Sequence, residues 1–125
     1  MRERLKQARE SIEEAELLYK ERFGNKLVIA KLYHAIIYCL LALFRIREIG
    51  ELTHKDIMDR FEKEYVLKGF FNKESLDVIR HAYELTHECD CEHMPLPTDA
   101  DIESTMSVTQ ELIVQLEKEI GERNA

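Results

Sequence analysis

Residues 27–44 form an apolar run of eighteen positions, interrupted by Lys31 and His34 and followed at once by Arg45 and Arg47. The run is longer than an ordinary strand, and as a helix it is apolar on most of its circumference. Such a helix must be covered nearly all round. The polar residues inside the run and the charges directly after it argue against a bilayer span. The sequence therefore predicts a central helix inside a bundle, with other amphipathic helices laid around it.

The rest of the chain fits that demand. Four Gly and two Pro in 125 residues leave few interruptions, and the 34% of charged residues suit helices with one apolar stripe and wide solvated faces. The length fits one domain, residues 1–125, large enough for a core without staples. The formal charge of −7 argues against a general nucleic-acid coat, which would be basic. It leaves room for a local anion site made by a few arginines, and for a basic partner. Three cysteines and no apolar leader segment point to a reducing cytoplasm, and no membrane partner is expected.

Five helices follow from periodicity. Leu5, Ala8, Ile12, Ala15 and Tyr19 step by threes and fours through a first helix over about 2–21. Gly24 is a stop and Asn25 a cap-like residue before the central helix, over about 26–48. Thr53, with Asp56 three residues on, forms an imperfect capping box for a third helix that Lys68 and Gly69 break. Asn72 caps a fourth helix, and Glu74 sits in its first turn. Thr98 caps the last, with Asp99 and Asp101 at its positive end. Short connections predict an all-α, up-and-down antiparallel bundle.

The chemistry concentrates in the fourth helix. Arg80 and His87 are seven residues apart, so their side chains leave one face about 10 Å apart along the axis. An arginine fork can hold a phosphate while a histidine moves protons near neutral pH. That pairing fits metal-free cleavage of an RNA phosphodiester, with His87 as acid or base and Arg80 stabilising the charge on phosphorus oxygens. Tyr83, one turn from both, can donate a hydrogen bond. The plain alternative is a surface Arg80 paired with Glu84. One histidine supplies one of two proton-transfer roles, so a symmetric dimer is favoured.

Other groups are weaker. Cys89 and Cys91 would diverge by about 200° on a helix, and His87, Cys91 and His93 do not reach a standard zinc spacing, so no metal and no cofactor are expected. His34 reads as a hydrogen-bonded core histidine, and His54 as part of a local turn.

Three blocks carry a family likeness: residues 8–18 (ARESIEEAELL), 30–44 (AKLYHAIIYCLLALF) and 82–91 (AYELTHECDC), with His54 and Phe61 between them and Pro95 or Pro97 before a last amphipathic helix. Together they resemble the HEPN domain, and more narrowly the small stand-alone HEPN proteins of bacteria and archaea. The resemblance implies a homodimeric helical bundle. It also implies a toxin–antitoxin pair whose antitoxin is a minimal nucleotidyltransferase, with RNA as the substrate. The active pattern in such proteins is an arginine followed, after four to six residues, by a histidine. Arg80 and His87, with six between, match it, and His81 fits the polar residue often found after the arginine. The narrower subgroup usually carries an arginine four residues before the aspartate that matches Asp90, and a tyrosine just after it. Thr86 and Cys91 stand there instead. A non-catalytic HEPN module that binds a nucleotide or a nucleotidyltransferase is the competing expectation.

Overall fold

A computed structural model describes residues 2–44, 53–87 and 97–123, the side chains of His54, His87, Glu122 and Arg123 apart. Among the described residues there are helices and turns and no strand. They are α1 (Arg2–Lys20), α2 (Asn25–Leu43), α3 (His54–Phe61), α4 (Lys73–His87) and α5 (Asp99–Arg123), and a π-helical turn, Glu62–Val66, continues α3. The expected all-α bundle is the observed one.

α2 is the hub. It packs on α1, α4 and α5, while α1 also meets α5 and α4 meets α5. Val28, Ile29, Leu32, Ala35, Ile36, Cys39 and Leu40 are all fully buried. Each fully buried Leu or Ile contributes about 1.5–3 kcal/mol relative to exposure. By length and composition alone α2 could cross a membrane, but 61% of its apolar stretch is buried inside the bundle. Covered in this way it is a core helix, which is compatible with a water-soluble protein.

Polar contacts fix the helix directions. Lys31 of α2 reaches Glu14 of α1 at 2.9 Å, and the Arg4 guanidinium lies over the Tyr38 ring at 5.8 Å, so α1 and α2 are antiparallel. Arg9 pairs with Glu117, and Tyr19 near the end of α1 meets Asp99 at the start of α5, so α1 is antiparallel to α5 as well. The starts of α2 and α5 therefore lie together. There Asn25 Nδ2 donates to the Pro97 carbonyl at 2.9 Å and to Asp99 Oδ1 at 3.1 Å.

Local chemistry explains most boundaries. Thr53 and Asp56 form a complete capping box: the Asp56 amide donates to Thr53 Oγ1 at 3.2 Å and the Thr53 amide to Asp56 Oδ2 at 3.0 Å. Thr98 and Asp101 make the same reciprocal pair at 3.1 and 2.9 Å. Asn72 Oδ1 accepts from the Ser75 amide at 2.9 Å at the start of α4. Gly69, at φ +85°, supplies the left-handed turn that ends the third segment.

Three expectations change. The residue that caps α2 is Gly24, at φ 115°, because the Asn25 side chain is committed to Pro97 and Asp99. α2 closes at Leu43 rather than near residue 48. Phe44 turns into the core, its carbonyl accepts from Arg60 Nη2 at 3.3 Å, and its ring lies 4.9 Å under the Arg60 guanidinium. His34 is exposed on α2 rather than held in the core.

Candidate functional site

Periodicity places α4 against the core through Leu76, Ile79, Ala82 and Leu85, all buried. The opposite positions face water. Lys73–His87 is one uninterrupted α-helix, so the seven-residue spacing of Arg80 and His87 is two turns of that helix. Arg80 is exposed, and among the described residues no ion pair engages it. The alternative pairing of Arg80 with Glu84 is not made among the described residues; Glu84 Oε2 lies 3.8 Å from His81 Nδ1. His87 closes α4. Its side chain, with Asp90 and the Cys89, Cys91 and His93 cluster, lies outside the described residues.

Tyr83 is half-buried on the edge of α4 that meets α2. Its ring centroid lies 6.0 Å from that of Tyr33, with the planes tilted by 42°. Burial is the main reason that the Tyr33 hydroxyl titrates well above the usual tyrosine range. The aromatic pair ties the Arg80 side of α4 to the central helix.

His81 turns the other way. Its Nε2 lies 3.2 Å from Asp101 Oδ1, so it joins α4 to the first turn of α5. The Thr98 amide, above all, holds the Asp101 carboxyl below the usual carboxylate range; burial opposes this, and the Thr98 hydroxyl and His81 add to it. Both Arg80 and His81 are exposed, but among the described residues only His81 of the two reaches the next helix, through Asp101. Thr86 folds its hydroxyl back along α4, donating to the carbonyls of Ala82 at 2.9 Å and Tyr83 at 3.1 Å.

Among the described residues no three His, Cys, Asp or Glu side chains gather as a metal site. Cys39 is buried, and burial pushes its thiol up to about 12, so it stays protonated and inert.

Comparison with known proteins gives one relative. A protein of the archaeon Methanocaldococcus jannaschii (strain ATCC 43067 / DSM 2661 / JAL-1 / JCM 10045 / NBRC 100440), named "Putative toxin MJ0142", is 27% identical over 86 residues. The match takes in 69% of this chain and 58% of the relative, so the chain spans well under two thirds of that protein's length. No family model matches the chain, and no solved structure matches it.

What the sequence did not flag is the position of His34. It belongs to an apolar run, and only its place between two packed neighbours turns it toward solvent. A helical wheel anchored on Lys31 and Tyr33 carries that signal; hydropathy does not.

Proposed function

We propose that this protein is a toxin of the HEPN type that cleaves RNA without a metal ion, and that Arg80 and His87 form the reacting pair. One observation carries the reading: an unbroken helix holds an exposed arginine, in no ion pair among the described residues, two turns before a histidine. The name of the archaeal relative supports the toxin role, and with it an antitoxin partner. The resemblance in the sequence supports the finer terms, a homodimer and a nucleotidyltransferase antitoxin, and the cysteine usage supports action in the cytoplasm. In the reaction the guanidinium fork holds the phosphodiester and offsets charge that grows on its oxygens. His87 transfers a proton to or from the ribose or the leaving oxygen. Tyr83 positions this edge of α4 through its packing on Tyr33, and Asp90 stands just beyond the histidine in sequence.

A second reading rests on Thr86, where the narrower subgroup carries an arginine. Its side chain is turned back onto its own helix, and this favours a module that binds a nucleotide or a nucleotidyltransferase without catalysis.

Incubation with RNA in chelator separates the two. The catalytic reading expects cleavage by the wild-type protein and a loss of about 10²–10⁴-fold in His87→Ala. Arg80→Lys, which keeps the charge and loses the fork, also falls. RNA left intact by the wild-type protein favours the binding module. Equal cleavage by wild type and His87→Ala removes His87 from the reaction.

A further inference from the structure

Between Val28 and Phe44 every residue is buried or half-buried except His34. The cause is geometric. Lys31, three residues earlier, is drawn to Glu14 on α1 at 2.9 Å. Tyr33, one residue earlier, packs on Tyr83 of α4. At about 100° per residue, His34 leaves the helix roughly 60° from Lys31 on one side and roughly 100° from Tyr33 on the other. It therefore stands in the seam where the α1 and α4 walls part. The α4 wall of that seam is the edge of Tyr83, with Arg80 one turn before it and His87 one turn after. Among the described residues no hydrogen bond or ion pair engages His34.

We infer that His34 is the second proton-transfer residue of the Arg80–His87 site, supplied by the same chain. The inference rests on the RNA-cleaving reading and answers a gap in it. Transesterification forms a bond from the 2′-oxygen to phosphorus and breaks the bond from phosphorus to the 5′-oxygen. One neutral imidazole takes the 2′-hydroxyl proton, and one imidazolium gives a proton to the departing 5′-oxygen. The products are a cyclic phosphate and a 5′-hydroxyl, with one proton taken up and one released. α4 carries one of these groups in His87, and the seam beside it carries the other in His34. The groups the structure shows beside this part of α2 are Lys31 with Glu14 toward α1, Tyr38 beneath Arg4 one turn on, and Tyr83 of α4 against Tyr33; Arg80 and His87 flank Tyr83 along α4. Because His34 is exposed and no hydrogen bond or ion pair among the described residues engages it, its replacement is expected to leave the bundle intact.

The test is cleavage of a defined RNA oligonucleotide in chelator from pH 5 to 9, with wild type, His34→Ala, His34→Gln and His87→Ala. Wild type is expected to show a two-limbed pH–rate profile. His34→Ala and His34→Gln are expected to lose about 10²–10⁴-fold in kcat with KM little changed, to lose one limb, and to recover rate when free imidazole is added. Unchanged helicity by circular dichroism shows that the fold is kept. If His34→Ala retains the wild-type kcat and both limbs while His87→Ala is inactive, His34 is not the second group and the RNA-cleaving reading stands. If the wild-type protein leaves the RNA intact, both fall together.

Discussion

Replacing Leu76 by Ala tests the packing that presents Arg80. Leu76 is fully buried on α4 and lies one turn before Arg80 on the chain. Its neighbours are helix-borne side chains such as Ile79, which cannot collapse freely into the space left behind. Leu→Ala at such sites costs about 2–5 kcal/mol, and restricted relaxation puts this one near 3 kcal/mol. An unfolding entropy of about 2.1 cal/mol/K per residue over 125 residues is about 0.26 kcal/mol/K. The melting temperature should then fall by about 12 °C. Val114→Ala on α5 is the control, since Val114 is 62% exposed and should change stability by less than about 0.5 kcal/mol. Urea unfolding followed by helical circular dichroism, at several protein concentrations so that any association is visible, gives both values. A loss under about 1 kcal/mol for Leu76→Ala with an unchanged m-value, or an equal loss for Val114→Ala, would refute the assignment of the α4 core face.

Two further outcomes follow from ionisation. Asp56 and Asp101 are both held below the usual carboxylate range, Asp56 chiefly by the Thr53 amide and Asp101 chiefly by the Thr98 amide. A depressed folded-state pKa contributes stability that is fully present above the unfolded value, about 3.9, and is lost as pH falls through the lower folded value. The double variant Asp56→Asn/Asp101→Asn should therefore lose less stability than wild type between pH 5 and 3 in urea titrations; an unchanged slope would count against the two capping boxes as its source. Cys39 should resist iodoacetamide at pH 8 in a Cys89→Ser/Cys91→Ser background and react once the protein is unfolded in urea. Rapid labelling of the folded protein would contradict its burial.

Much of the fold was legible because the helix signals are local. Thr53, Asn72 and Thr98 were readable as caps, since a side chain three residues from an amide needs no tertiary contact to be useful. The stripe of Leu5, Ala8, Ile12 and Ala15 was readable for the same reason. The misread positions are those settled by partners far along the chain. Asn25 looks like a cap until Pro97 and Asp99 claim its amide group. At the end of α2 the Phe44 carbonyl meets Arg60, sixteen residues further along the chain. The π-helical turn at Glu62–Val66 leaves no mark in a 3.6-residue pattern. It sits where Tyr65 packs against Phe61 and Phe71, a cluster only the folded chain assembles. The candidate site divides in the same way. The spacing of Arg80 and His87 is written in one helix. That His81 meets Asp101 depends on where α5 begins.

From Val28 to Leu43 α2 is buried or half-buried at every position except 34, which is exposed. Substitution at buried positions of that helix, such as Ile29, Leu32 or Ile36, disturbs the core, whereas a change at position 34 leaves the scaffold as it was. Related chains can therefore vary chemistry at that one point, gaining or silencing a reactive group, without first having to evolve a sturdier protein.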